Sequence, residues 1–160
     1  MSCGIALSVT LMFAAASPAD GQATFMPASV SAPVSVAQEP MFAEIVERAR
    51  RLKAAADGFR QAPGLDAAPA PVALNGFDHF QAEIADLAAL DMQGHLELAR
   101  RGTDGDLKCI LKGIAQDLPV RMKEFADARS GAQQKAALAE MAYLLNDNVE
   151  VITAPPQPEV

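Results

Sequence analysis

The sequence predicts an all-α protein, a small antiparallel helical bundle of three core helices that gains a fourth if the first helix docks. In four segments, apolar residues recur every three or four positions, which is the spacing of one helix face. The last three segments are joined by only a few residues, so consecutive helices must lie antiparallel. Pro- and Ala-rich stretches without this period flank the helices, and we expect a disordered N-terminal linker and a disordered C-terminal tail.

Composition and charge limit the class of protein. The chain has 160 residues, enough for one domain, and 33 of them are alanine. Lys and Arg total 13 against 20 Asp and Glu, which gives a net charge of -7. Because binding to nucleic acid needs clustered cations against phosphate, we expect no nucleic-acid partner. Two cysteines are too few for a scaffold held by disulfides.

The N-terminus has the pattern of an export signal. Residues 3–16 form an uncharged apolar run, which is shorter than the roughly 20 residues of a membrane span and fits the apolar part of a signal peptide. Small residues suited to cleavage follow at 14–16 and 17–19. We therefore expect a signal peptide over 1–19, a periplasmic or secreted location, and no stable membrane span after its removal. The alternative is an apolar N-terminus that is disordered or buried in the core.

Helix 1 follows a disordered linker over 20–39. It is predicted over about 41–57, within an amphipathic segment 40–60, and Pro40 suits a first helical turn. One face of this helix carries an apolar stripe: Phe42, Ile45, Ala49, Leu52 and Ala56. A Pro-rich linker over 61–75 separates it from the predicted bundle core at 76–152. We expect helix 1 to dock on that core because its phenylalanines need cover, and a separate arm is the alternative.

Helices 2 to 4 supply the core stripes. Helix 2 is predicted over 77–101, with Gly102 as its stop. Helix 3, over about 105–129, should begin at a capping box on Thr103, and Pro119 should kink or split it near 116–119.

Helix 4 should begin at a second capping box, formed by Ser130 and Gln133. The run 146–148 weakens its helical pattern, and the β-branched run 149–152 favours extended backbone. A disordered tail is expected over 153–160.

A search for chemistry yields one unusual pair of residues. Sequence motifs of hydrolases, nucleotide-binding proteins and metalloenzymes are missing, and we expect no catalytic residue, no cofactor and no metal. Asp91 and His95, however, are spaced i,i+4 inside the apolar stripe of helix 2. A carboxylate at this spacing can bond the imidazole and raise its pKa. The alternatives are a polar pair satisfied at the core edge, a helix frayed near Gly94, and Arg121 as the partner of Asp91.

Helix 1 is basic in an otherwise acidic chain. Segment 40–61 carries a charge of +2 and the remaining residues -9. Such a helix can lie on anionic lipid or on an acidic partner. It can equally be an ordinary solvated face, or dock on the acidic helix 2 of the same chain.

Cys109 is the one cysteine of a chain that has lost residues 1–19. It lies on the face of helix 3 opposite Leu111, between Lys108 and Lys112, in the first turns of a helix. We expect a small side chain buried under a neighbouring helix, since free cysteines are often buried. The alternative is a disulfide-linked dimer or a mixed disulfide, because lysines and a helix N-terminus favour the thiolate.

These features favour an exported bacterial helical protein that acts as a non-catalytic adaptor or as a structural component of the cell envelope. Its partner is expected to be another protein or a second copy of itself. The alternative function is a ligand- or metal-responsive binding protein that uses the Asp91 and His95 region. Cys109, Asp91 and His95 are therefore the candidate functional residues.

Overall fold

The computed structural model of the protein describes residues 35–102 and 105–154. The predicted signal peptide, most of the linker that follows it, the capping box at Thr103 and residues 155–160 of the tail lie outside these ranges. All described residues belong to one unit, Pro33–Val160.

The described residues form four helices: α1 Pro40–Arg60, α2 Phe77–Arg101, α3 Gly105–Ala126 and α4 Gly131–Thr153. Each helix packs on the next and α4 packs on α1, whereas the diagonal pairs α1/α3 and α2/α4 have no close backbone approach in the described residues. The start of α1 meets the end of α2, and the short connections reverse the chain twice more. The protein is therefore an antiparallel four-helix bundle, and the predicted fold class is confirmed.

Helix α1 is a full member of this bundle. Phe42, Ile45 and Ala49 are 0 % exposed and Leu52 is 1 % exposed, and they join the stripes of the other three helices in one core cluster. The prediction that helix 1 docks is confirmed, and the bundle core extends beyond 76–152 to include it.

Two sets of contacts fasten α1 to α2. At the start of α1, the guanidinium of Arg101 donates to both carboxylate oxygens of Glu39 at 2.8 and 2.7 Å, and its Nε donates to Glu97 at 2.9 Å. At the other end, the ring of Phe59 packs edge-on against those of Phe77 and Phe80, at centroid distances of 5.5 and 5.3 Å. Polar and aromatic contacts therefore hold the same pair of helices at opposite ends.

The Pro-rich segment between α1 and α2 is held against α4. Leu65 is 1 % exposed, and the backbone N–H of Gly131 donates to the carbonyl of Ala68 at 3.1 Å. The buried amide of Gln134 accepts from the N–H of Val72 at 2.8 Å and donates to its carbonyl at 3.1 Å. This pairing satisfies both the N–H and the carbonyl of Val72. The Pro-rich segment is therefore packed on the bundle and is not a loose linker.

The observed helix boundaries agree in part with those predicted from the sequence. Helix α1 fills the whole predicted amphipathic segment 40–60, beyond the 41–57 of the helical pattern, and α2 has the predicted bounds, with Gly102 in the left-handed region at φ 67°. Pro119 was expected to kink or split helix 3, and the split is wrong, because α3 runs through Pro119 as one helix and ends at Ala126. Leu118 and Met122, on either side of this proline, are buried, and their packing keeps the helix continuous.

Helix α4 begins where the capping box placed it and ends later than expected. The Oγ of Ser130 accepts from the N–H of Gln133 at 3.3 Å, while the Gln133 side chain accepts from Arg129 instead of Ser130. The expectation of extended backbone at 149–152 is wrong, since α4 continues to Thr153. Ile152 is 0 % exposed, and its burial in the core outweighs the weak helical preference of this run.

No helix of the described ranges combines the length and the apolar character that crossing a membrane requires.

Candidate functional site

A polar pair lies at the centre of the bundle. Asp91 of α2 and Asn148 of α4 are both 0 % exposed, and Nδ2 of Asn148 donates to Oδ2 of Asp91 at 2.8 Å. The two residues belong to diagonal helices whose backbones stay apart, so their side chains meet across the bundle axis.

Helical spacing explains why both polar side chains point inward. Asp91 lies four residues after Leu87 and seven before Leu98, which are buried in the core. Asn148 lies three residues after Leu145 and four before Ile152, which are also buried. Each polar residue therefore occupies a core position of its helix.

The electrostatics of the pair are unusual for a core. Burial raises the pKa of the Asp91 carboxyl from its ordinary 3.8 to about 7, and outweighs the hydrogen bond from Asn148, which acts to lower it. Oδ1 of Asp91 and Oδ1 of Asn148 are buried without a hydrogen-bond partner in the described residues. The pair thus makes one hydrogen bond and leaves one oxygen unsatisfied on each residue.

The core is closely packed at Gly94, about one helical turn after Asp91. A Cβ atom at Gly94 would lie 3.3 Å from Leu111 Cδ1 and Phe42 Cε1, and 3.4 Å from Ile45 Cδ1. Glycine at this position lets apolar side chains of α1 and α3 close against the backbone of α2. The core is therefore tightly packed hydrocarbon one helical turn from the buried carboxyl.

His95 does not bond Asp91, so the i,i+4 hydrogen bond that the spacing allows is not made. The ring is partly buried, and its Nδ1 lies 2.7 Å from the backbone carbonyl of Lys108 on α3. Because a carbonyl only accepts, Nδ1 carries the proton and donates. Four residues rotate a side chain by about 40° around a helix, which turns His95 toward α3 while Asp91 faces the axis.

Arg121 is also not the partner of Asp91, because its guanidinium pairs with Glu124 at 2.7 Å. Within the described residues, no group of three His, Cys, Asp or Glu side chains is placed to hold a metal ion.

The basic face of α1 is paired with carboxylates of the same chain. Arg51 contacts Glu83 of α2 at 3.3 Å, as expected if helix 1 docks on the acidic helix 2. Ion pairs within α1 engage three further cations: Arg48, Lys53 and Arg60. Much of the basic charge that suggested lipid or an acidic partner is thus balanced inside the bundle.

Cys109 is disulfide-bonded in this structure of the full chain. The other cysteine of the sequence, Cys3, lies outside the described residues. The expectation of a single cysteine applies only to a chain that has lost residues 1–19, and a dimer linked through Cys109 in such a chain stays a prediction.

Asn148 is the site residue that sequence reasoning missed. In the sequence it belongs to the run 146–148, which weakens the helical pattern of helix 4. Its spacing from Met141, Leu145 and Ile152 is seven, three and four residues, which is the signal that could have placed it in the core stripe.

Fold and site together define an antiparallel four-helix bundle with a buried acid and amide at its centre. No protein-family model matches the chain, and comparisons with curated proteins and with solved structures find no match.

Proposed function

We propose that the protein is exported by a bacterium and works by protein–protein contact, as a non-catalytic adaptor or a structural component of the cell envelope. The observation that carries this proposal is a set of large apolar side chains on the outer faces of three helices. Leu96, Val120 and Tyr143 are 59 %, 45 % and 64 % exposed, respectively.

Tyr143 offers the largest of these surfaces. It lies two positions from Met141 and from Leu145, which are both 0 % exposed, so its ring points away from the core. Ala132 and Ala136 precede it on the same outer face of α4 and are exposed. Because their side chains are small, the Tyr143 ring projects beyond its neighbours on this face. A tyrosine combines an apolar body with a polar tip and is enriched at the centres of protein interfaces.

Export is supported by the apolar run at 3–16 and by the small residues that follow it. Every helix of the bundle begins at or after Pro40. Removal of residues 1–19 would therefore leave all four helices whole.

The alternative function, ligand or metal binding at Asp91 and His95, has less support. Asp91 is fully buried and accepts a hydrogen bond from Asn148, and the Nδ1 proton of His95 points at the carbonyl of Lys108. These two side chains therefore do not converge on a common ligand position.

Affinity capture with surface variants tests the contact function. A tagged chain produced in its native host is purified from the envelope fraction, in parallel with Tyr143→Ala, Leu96→Ala and the control Arg50→Ala, which changes an exposed position of α1. Surface substitutions should leave stability within about 0.5 kcal/mol, so all variants stay folded. We expect a protein, or a second copy of the chain, to be retained by wild type and Arg50→Ala and lost from at least one apolar variant. Identical captured proteins from every variant would contradict the proposal.

A further inference from the structure

We propose that Asp91 is held as a neutral carboxylic acid that donates its proton to Asn148, and that loss of this proton is a pH-sensitive switch in the bundle core. In the neutral state the two side chains form a cyclic pair with two hydrogen bonds. This switch is independent of the proposed contact function.

The donors and acceptors of the pair match this arrangement. One hydrogen bond, from Asn148 Nδ2 to Asp91 Oδ2, is already made at 2.8 Å. The two atoms left over are Asp91 Oδ1 and Asn148 Oδ1, and neither has a partner in the described residues. A carboxylate offers only acceptors and a carbonyl oxygen also only accepts, so an anionic Asp91 leaves both atoms unsatisfied. A proton on Oδ1 turns one of them into a donor to the other and satisfies both.

The surroundings favour the neutral form from every side. In the described part of the chain, the buried side chains that α1 and α3 turn to the core are all apolar, such as Ile45 and Leu111. Helix α4 adds two buried polar side chains, Asn148 and Gln134, and both are uncharged. Gln134 lies fourteen residues before Asn148, about 21 Å along the helix, and is bonded to Val72.

On α2 itself, the nearest titratable side chain by sequence is His95, whose ring is turned to the carbonyl of Lys108. Among the residues that the structure describes, no cation is thus placed to stabilise an anionic Asp91, and burial keeps the pKa of this carboxyl at about 7.

Deprotonation changes the link between two diagonal helices. The Oδ1–H bond of Asp91 breaks and the proton passes to water. A carboxylate then remains in apolar surroundings. Its second oxygen and the carbonyl oxygen of Asn148 are then both acceptors without a donor. Because α2 and α4 have no close backbone approach, the weakened pair loosens a direct connection between them.

Site-resolved carbon-13 NMR of the wild-type chain tests the protonation state without any substitution. The Asp91 carboxyl resonance is assigned by its loss in Asp91→Asn and followed as the pH is raised. We expect it to titrate near 7, well above the ordinary value of 3.8 for an aspartate side chain. Titration at that ordinary value would overturn the proposal.

Hydrogen exchange of α4 tests the switch, with Asp91→Asn as a permanent mimic of the acid. An asparagine at 91 can make both hydrogen bonds to Asn148 and cannot titrate. Asp86→Asn is the matched control, the same substitution at an exposed position of α2.

After correction for intrinsic exchange chemistry, opening of α4 in wild type and in the control should increase about tenfold or more between the acidic and alkaline sides of the transition. In Asp91→Asn it should stay constant. A pH response in Asp91→Asn equal to that of wild type, or failure of this variant to fold, would contradict the cyclic pair.

Discussion

Raising the pH is expected to lower the free energy of unfolding through Asp91. The pKa of this carboxyl is about 7 in the bundle and 3.8 as its ordinary value, so the folded chain holds the proton more tightly than the unfolded chain. Its contribution to stability is fully present below pH 3.8 and is lost as the pH rises to about 7. Each pKa unit between these two values corresponds to about 1.4 kcal/mol, so the free energy of unfolding should fall by about 4 kcal/mol in total.

Urea unfolding followed by circular dichroism measures this loss in wild type, Asp91→Asn and Asp86→Asn across the same pH range. Taking differences from Asp91→Asn removes the contributions of other carboxyls, such as Glu97, whose pKa is lowered to about 2 by hydrogen bonds from Arg100 and Arg101. Between pH 3.8 and about 7, the free energy of unfolding of wild type relative to Asp91→Asn should fall by about 1.4 kcal/mol per pH unit. The curve of Asp86→Asn should follow that of wild type. Wild-type and Asp91→Asn curves that stay parallel at all pH values would refute the reasoning.

Three further predictions follow from the packing and the sequence. Phe42→Ala should lower the free energy of unfolding in urea by about 3–5 kcal/mol, because this ring is 0 % exposed; a loss below about 0.5 kcal/mol would place α1 outside the core. Gly131→Ala should destabilise by about 1–3 kcal/mol, since its Cβ would collide with the carbonyl oxygen of Leu65. Its matched control Gly113→Ala, where nothing lies within 4 Å, should instead be neutral or stabilising by up to about 1 kcal/mol, and equal effects would contradict the contact at Leu65. If the chain is exported, intact-mass analysis of protein from the native host should find a start within 17–20, whereas a full-length cytosolic chain would contradict export.

Helical periodicity was sufficient for the fold because each helix repeats its apolar stripe over many turns. The bounds of α2 were predicted because Gly102 stops the helix through a conformation that its own backbone adopts. Docking of α1 followed from the burial requirement of Phe42 and its neighbours on the stripe. Both features are encoded locally, within the segment concerned.

Features that depend on distant partners could not be predicted in this way. Val72 is fixed by Gln134, 62 residues later, and no local pattern in the Pro-rich segment signals that contact. Pro119 predicted a kinked or split helix because its local effect is unfavourable. The packing of the buried Leu118 and Met122 instead keeps α3 in one piece.

The candidate site likewise combines a feature encoded locally with one that depends on a distant partner. Spacing placed Asp91 inside the apolar stripe correctly, because burial follows from position on the helix. Its partner was sought on the same helix at His95, but Asn148 lies 57 residues away on the diagonal helix. The identity of the partner depends on how the four helices are arranged around the axis, which periodicity alone does not specify.

Photo-crosslinking from Tyr143 in the native host tests the proposed contact function most directly. At 64 % exposure, this position should accept p-benzoylphenylalanine without loss of the fold. Irradiation should give one discrete adduct, with another envelope protein or with a second copy of the chain, while the same amino acid at the exposed position Arg50 should give none. The absence of a discrete adduct from Tyr143, Leu96 and Val120 in cells that produce the folded protein would contradict the account.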